Sequence, residues 1–221
     1  MVMGKAAVFV EPYHFEMTEL PPVPVEPGGI RVKVTAGGIC GSDLHFWRGE
    51  IKPIMAGRQG PVILGHEMAG VVDTLGPDMS TDSMGRPLKE GDRVVFSYFF
   101  PCRRCYNCLR GELNHCPDRF RFRASIEEFP YCNGGFSEYY YLFPGHFVFK
   151  VPDELPDEVV APANCAVPQV IGTKAASAMA KPRKAMTWRG RPVRLSVKIV
   201  ASIWRRRISV MASGRKLIAT M

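Results

Sequence analysis

Short apolar stretches separated by glycine and proline occupy the first three quarters of the chain. Residues 5–10 (KAAVFV) and 31–36 (RVKVTA) are rich in small and β-branched residues, and the stretch PPVPVEPGG lies between them. Short apolar runs bounded by turn-forming residues are typical of β-strands. Further strands are predicted within residues 61–76, 92–100 and 136–152. The pattern therefore predicts a mainly β fold.

Helices are predicted to be few and short. The stretch ELPDEVVAPANCAVPQVI at residues 154–171 favours a helix that begins near Asp157. Pro162 and Pro168 limit its length, because proline inside a helix removes a backbone hydrogen bond and clashes with the preceding turn.

The pattern changes after Ile171. Residues 172–221 show neither helical nor alternating periodicity, and they hold 13 Lys and Arg residues with no acid. Residues 1–171 carry a net charge of −5, from 16 basic and 21 acidic residues. We therefore expect two parts, an acidic globular body at 1–171 and a basic tail at 172–221, disordered or translated out of frame.

The overall composition is that of a globular protein, with 46% hydrophobic and 23% charged residues. No apolar run is long enough to span a membrane, and the start of the chain lacks the pattern of a secretory signal. Seven cysteines, four of them clustered, fit a reducing compartment better than a disulfide framework. We therefore expect a cytoplasmic protein without a membrane partner.

Four cysteines share the spacing C-x2-C-x2-C-x7-C within one short segment, at Cys102, Cys105, Cys108 and Cys116. Disulfides among them would have to close very tight loops, whereas zinc accepts four thiolates at about 2.3 Å in a tetrahedron. The spacing therefore favours a metal site. The alternative is an unpaired cysteine cluster in a degraded sequence.

A second set of potential ligands is spread along the chain: Cys40, the pair His66–Glu67, and Cys165. Catalytic zinc commonly has three protein ligands and an open position, and two thiolates with one imidazole are a known combination. From the residues alone, the alternatives are buried cysteines that act as small apolar side chains and a histidine satisfied within the core.

Four motifs together resemble the zinc-dependent medium-chain alcohol dehydrogenases. They are GGICGSDLH (37–45), GHEMAGVV (65–72), GDRV (91–94) and the four-cysteine segment. They occur in the order and at the approximate separations of that family, over about residues 4–171. The resemblance implies a GroES-like, barrel-type catalytic domain. It also implies oxidation of a small alcohol through a zinc-bound alkoxide, with hydride transfer to NAD(P), or reduction of the aldehyde.

The resemblance also implies roles for individual residues. Glu67 matches an acid in or near the inner coordination sphere, and Asp43 matches the carboxylate that orients the histidine ligand. Ser42 and His45 match a proton relay, for which a hydroxyl and an imidazole are suited. Two zinc ions are implied, a catalytic ion held by Cys40, His66 and Cys165, and a structural ion held by Cys102, Cys105, Cys108 and Cys116.

The sequence lacks the features of a Rossmann cofactor domain. No G-x-G-x-x-G motif occurs in it, and no acid follows residue 171 to hold a ribose. Three explanations stay open: a frameshifted or truncated product with impaired activity, a cofactor domain on another chain, or a genuine basic tail. The last corresponds to an alternative function, a non-catalytic zinc-stabilised module that binds nucleic acid through its tail. The dehydrogenase interpretation needs no nucleic acid and leaves the oligomeric state open.

Overall fold

The chain divides into two compact units, Met1–Gly172 and Thr173–Met221. The computed structural model describes residues 4–21, 23–51, 61–98, 100–118, 125–165, 167, 187–188 and 191–192. In the second unit, strand β9 (Thr187–Trp188) pairs antiparallel with β10 (Arg191–Pro192). The predictions for residues 172–221 otherwise concern residues outside those described.

The described part of the first unit is built mainly of antiparallel strands. One sheet has the strand order β2-β1-β4, and a larger one has the order β7-β3-β5-β6-β8. This confirms the mainly β fold predicted from the sequence. The strands are β1 (Gly4–Glu11), β2 (His14–Leu20), β3 (Ile30–Gly38), β4 (Val62–Ile63), β5 (Glu67–Leu75), β6 (Arg93–Phe96), β7 (Tyr139–Leu142) and β8 (Val148–Lys150).

The main core packs on one face of the five-stranded sheet. In β3 and β6 buried residues alternate with more exposed ones, as expected where one face is buried, whereas β5 and β7 each contain three consecutive buried residues. Cys165 and Tyr98 belong to this same core, so it reaches directly to the candidate site. Its strand residues include Ile30, Val32, Met68, Val72, Val94, Phe96, Tyr140, Leu142 and Val148.

The helices are short, and two of them carry cysteines at or near their ends. Helix α1 (Gly41–Trp47) follows β3, α2 (Tyr106–Leu109) lies in the four-cysteine segment, and α3 (Asp157–Val160) precedes Cys165. The helix predicted near Asp157 therefore begins there. It gives way after Val160 to a 3₁₀ turn, Ala161–Asn164, which contains Pro162.

Three local features differ from the sequence-based expectation. Strand β2 and helix α1 were not predicted, and the strand expected over 92–100 covers only Arg93–Phe96. Helix α1 forms because Asp43 accepts a hydrogen bond from the backbone amide of Cys40 at 2.8 Å, while Phe46 is buried beneath it. The glycine and serine in this segment are poor helix formers, so the sequence pattern did not indicate a helix or its cap.

Candidate functional site

Cys40 lies where β3 ends and α1 begins, as the N-cap residue of the helix. The Asp43 carboxylate holds this junction. Its Oδ2 accepts the Cys40 amide at 2.8 Å, and its Oδ1 accepts the Gly65 amide at 3.3 Å. Asp43 is 5% exposed. One buried carboxylate therefore fixes the Cys40 backbone and the loop that carries His66.

His66 follows a turn that requires glycine. Gly65 has φ of +86°, and a Cβ atom there would lie 2.7 Å from the Phe136 ring. The Gly65 carbonyl accepts a hydrogen bond from Gly135 at 2.9 Å. The His66 Nδ1 atom lies 3.6 Å from Asp43 Oδ1. The turn thus directs the imidazole to a buried position beside the carboxylate predicted to orient it.

Cys165 lies late in the chain of the first unit, directly after the 3₁₀ turn Ala161–Asn164. Its amide donates to the Pro162 carbonyl at 3.1 Å, and the neighbouring Asn164 side chain donates to the Met68 carbonyl at 3.3 Å. Met68 belongs to β5, which begins at Glu67. The turn is therefore tied to the strand that begins at Glu67 and directly follows His66.

These three elements bring four potential ligands together. One donor atom each from Cys40, His66, Glu67 and Cys165 lies within 4.8 Å of the others. The Cys40 and Cys165 Sγ atoms are 3.9 Å apart. A tetrahedral ion with metal–sulfur bonds of about 2.3 Å separates two sulfurs by about 3.8 Å, so the donor set fits zinc. We call this group the long-range cluster.

The long-range cluster disfavours further negative charge in the absence of a cation. Burial is the largest of the causes that together raise the pKa of the Cys165 thiol to about 12; the nearby Cys40 and Glu67 groups contribute the rest through charge and hydrogen bonding. A divalent cation reverses this balance because it binds the thiolate form. Metal binding at this position is therefore coupled to release of a proton.

Ser42 and His45, the two predicted relay residues, both lie on α1. Ser42 is half-buried, whereas the His45 side chain is 55% exposed. His45 Nδ1 contacts the Glu50 carboxylate, and the Glu50 amide donates to the His45 carbonyl at 2.9 Å. Glu50 was not singled out in the sequence, since this pairing arises only from the turn that ends α1.

Tyr98 is a second residue that sequence reasoning did not assign. Its ring lies 4.8 Å from the His66 imidazole, and it is 7% exposed. The sequence indicated only an aromatic run at 96–100 without showing which ring faces the histidine. In the structure, the Tyr98 ring packs against the His66 ring at an interplanar angle of 47°.

The four cysteines at 102–116 form the second cluster, which we call the local cluster. Their sulfur atoms all lie within 4.8 Å of one another, and Cys102 and Cys108 are 4.0 Å apart. The backbone amides of Cys102 and Cys105 donate to cysteine sulfurs at 3.3 and 3.4 Å. The separations again match a tetrahedral zinc site.

The thiols of the local cluster differ in acidity. The backbone amide of Arg104 is the main cause that lowers the pKa of Cys102, to about 7. Burial, followed by the hydrogen bond with Cys105, raises the pKa of Cys108 to about 12. Cys102 is therefore more readily available as a thiolate at neutral pH than Cys108.

Comparison with known proteins identifies the fold. The family described as the alcohol dehydrogenase GroES-like domain matches residues 26–153, more than half of the chain. The chain belongs to this alcohol dehydrogenase GroES-like family. The resemblance predicted from the four motifs is confirmed, as is the GroES-like catalytic domain.

The relatives of this GroES-like chain are dehydrogenases and reductases. It is 34% identical to 5-exo-hydroxycamphor dehydrogenase from Pseudomonas putida over 77% of this chain and 45% of that protein. An alcohol dehydrogenase structure from Thermotoga maritima is 29% identical with a TM-score of 0.69, covering 84% of this chain and 49% of that one. Acetophenone reductase from Geotrichum candidum, in complex with NAD, is 26% identical with a TM-score of 0.59, covering 78% and 48%.

The match to these relatives of the GroES-like family stops at about half of their length. The predictions of an oxidoreductase and an enzyme by family are confirmed by the family and by the named relatives. Among the described residues, no helix combines the length and apolarity needed to cross a membrane. The cytoplasmic location stays a prediction, as do the roles of the individual site residues.

Proposed function

We propose that the first unit is the catalytic domain of a zinc-dependent alcohol dehydrogenase that interconverts a small alcohol and its aldehyde or ketone with NAD(P). The observation that carries this proposal is the long-range cluster. Three separate elements place two thiols and an imidazole at distances suited to a tetrahedral zinc. Chance proximity does not explain the supporting carboxylate behind the imidazole, since metal-bound histidines typically contact such a group.

Cys40, His66 and Cys165 would hold the catalytic zinc, and the Glu67 carboxylate is within reach as a further donor. When bound there, zinc polarises the substrate oxygen and lowers the pKa of an alcohol hydroxyl. Asp43 has two tasks. It accepts two backbone amides that set the ligand positions, and it favours a protonated Nδ1 on His66. The other imidazole nitrogen is then free to face the metal.

Ser42 and His45 would carry the alcohol proton away from the buried cluster towards solvent. Ser42 is half-buried and His45 is exposed, so the two residues on α1 span the change from interior to surface. The Glu50 carboxylate beside His45 Nδ1 holds the ring in one orientation. A hydroxyl can donate and accept at once, and an imidazole exchanges protons near neutral pH.

The local cluster is proposed to hold a structural zinc. Its four thiolates complete a tetrahedron and leave no position for substrate. NAD(P) is proposed as the hydride acceptor because a relative is bound to NAD. We assign no cofactor-binding residue in residues 1–221, which contain no G-x-G-x-x-G motif.

Metal analysis combined with cobalt substitution tests this proposal. The purified chain is expected to bind about two zinc ions, one at each cluster. Cobalt at the long-range cluster should give a visible thiolate–metal spectrum that changes when a small alcohol such as trifluoroethanol is added. The Cys165→Ser chain should lose both the spectrum of that cluster and its response. Metal bound at the local cluster alone would contradict the proposal and favour the non-catalytic module.

A further inference from the structure

Gly38 and Glu67 face each other across two strands at the edge of the long-range cluster. Gly38 ends β3, Glu67 begins β5, and the two residues are directly paired in the antiparallel ladder. A Cβ atom placed on Gly38 would lie 2.8 Å from Glu67 Oε2 and 3.1 Å from Glu67 Cβ. Directly opposed residues normally have Cβ atoms about 4.5–5.5 Å apart. The Glu67 side chain therefore uses space that any other residue at position 38 would fill.

Space, rather than backbone conformation, is the reason for glycine at this position. Gly38 is not among the glycines with positive φ, so its backbone suits other residues. The adjacent Gly37 gives a direct contrast. A Cβ on Gly37 would meet only the Gly135 carbonyl oxygen, at an ordinary contact distance of 3.4 Å. Gly37 is exposed and has room for a side chain, whereas Gly38 is half-buried and lies against Glu67.

We propose that Gly38 is a positioning residue for Glu67. Its missing side chain lets the Glu67 carboxylate fold over the end of β3 and join Cys40, His66 and Cys165 as a fourth donor. This inference rests on the proposed metal site. Gly38 thereby determines whether the cluster offers two thiols and an imidazole alone, or those groups together with a carboxylate.

An alanine at position 38 would act on Glu67 in two ways. The carboxylate, at the flexible end of the side chain, would swing away from the cluster. The Cβ contact at 3.1 Å involves the stem of Glu67, so the start of β5 would also have to shift by a few tenths of an ångström. His66 directly precedes Glu67, so that shift would also disturb the imidazole. Both effects weaken metal binding at the long-range cluster and leave the local cluster intact.

A cobalt titration of matched variants of the full chain tests this inference. The variants are Gly38→Ala, Gly37→Ala, Glu67→Gly and the double variant Gly38→Ala/Glu67→Gly. The Cys165→Ser chain supplies the spectrum of the local cluster alone, which is subtracted. Gly38→Ala should weaken cobalt binding at the long-range cluster about tenfold and alter its ligand-field bands, an effect typical of groups that position ligands. Gly37→Ala should stay within about twofold of the unmodified chain.

The double variant separates a role through Glu67 from a general structural role. Once Glu67 is glycine, both its carboxylate and its Cβ atom are gone, so adding Gly38→Ala should change the cobalt affinity by less than about twofold. An equal loss in both backgrounds would overturn the inference, as would unchanged affinity and spectrum in Gly38→Ala. If Gly38→Ala alone fails to fold, the double variant must fold, because both the carboxylate contact and the Cβ contact are gone. Failure of both variants to fold would overturn the inference too. An unmodified chain with no cobalt at this cluster would instead refute the metal site itself.

Discussion

The two clusters use similar ligand chemistry but assemble it over very different lengths of chain. The local cluster draws its four cysteines from residues 102–116, whereas the long-range cluster joins Cys40, His66, Glu67 and Cys165. Around the local cluster, the donors to sulfur come from the same segment. Around the long-range cluster, the supporting contacts come from a helix cap, a glycine turn and a 3₁₀ turn.

This difference indicates opposite relations between metal and fold. A short segment with little apolar core of its own gains its order from the metal, as small zinc modules do. The long-range cluster instead adjoins the core of the five-stranded sheet, to which Cys165 itself contributes. We infer that metal stabilises the structure at the first cluster, whereas the structure prepares the ligands at the second.

The largest effect is expected when the local cluster is broken. The Cys102→Ser/Cys105→Ser chain should lose about one of two zinc ions, and residues 101–118 should become cleavable by trypsin because the metal no longer orders them. Zinc analysis and limited proteolysis measure these outcomes. The alcohol-sensitive cobalt spectrum of the long-range cluster should persist. Loss of both metals together would contradict the independence of the clusters.

Removal of a ligand from the long-range cluster should mainly weaken metal binding there and have a smaller effect on the stability of the fold. Cys165→Ser is expected to weaken cobalt binding at that cluster by about 100-fold or more, since a hydroxyl is a poor replacement for a thiolate. In the metal-free protein the free energy of unfolding, measured in urea, should fall by no more than about 1–3 kcal/mol, the cost of a buried hydroxyl in place of the thiol, because the rest of the sheet core remains. A large loss of stability without metal would show that Cys165 serves packing instead.

The same contrast explains how much could be predicted from the sequence. The spacing of the local cluster is visible because its ligands and their closure lie within one segment. Cys40, His66 and Cys165 could be considered together from their ligand chemistry, but only the family resemblance favoured them over the alternatives, since spacing cannot show that distant residues converge. The role of Gly38 and the partner of His45 depend on a strand register and a turn that no local pattern encodes. Strand β2, largely exposed, lacked the apolar alternation that identifies other strands.

Asp43→Asn should damage the long-range cluster while keeping its ligands. Two backbone amides, from Cys40 and Gly65, donate to the two carboxylate oxygens. Asparagine has one acceptor oxygen, so one buried amide would face an NH₂ group. We expect a loss of about 1–3 kcal/mol in unfolding free energy and a cobalt affinity weaker by about 10- to 100-fold, because a buried amide loses its acceptor and the ligands lose their support. Urea unfolding and cobalt titration provide the measurements. Unchanged cobalt affinity would show that the carboxylate does not position the ligands.

A buried acid away from both clusters offers a control with a defined pH dependence. Burial of Asp82 favours its neutral form, but hydrogen bonds from the amides of Lys150, Arg86 and Met84 and from the Arg86 guanidinium outweigh this and lower its pKa to about 2. The ordinary value is 3.8. A lowered pKa stabilises the fold above about pH 4, and this contribution is lost as the pH falls towards 2.

Asp82→Asn should therefore reduce the free energy of unfolding by about 2 kcal/mol at pH 7, and the difference should shrink below pH 4. Urea unfolding across this pH range measures it. Metal content at pH 7 should stay at about two ions per chain, because, among the residues that the structure describes, the Asp82 carboxylate forms its hydrogen bonds with Met84, Arg86 and Lys150 and not with either cluster. A difference that stays constant with pH would rule out the titration of Asp82 as its source.

The smallest effect concerns how the local cluster is attached to the rest of the first unit. Arg103 donates a hydrogen bond to the Gly145 carbonyl, and its guanidinium lies 4.7 Å from the centre of the Phe147 ring. The contact is exposed, so Arg103→Ala should cost about 0.5–1 kcal/mol and leave the zinc content unchanged. Trypsin should cut at Arg104 faster in this variant, because the segment is held less tightly against the rest of the first unit even though the metal still binds it.

Arg104→Ala, whose side chain is also exposed, is the matched control. Because this variant lacks the tryptic site at residue 104, chymotrypsin is used to compare the two variants. Equal chymotrypsin cleavage rates in the two variants would show that the metal alone determines the order of this segment.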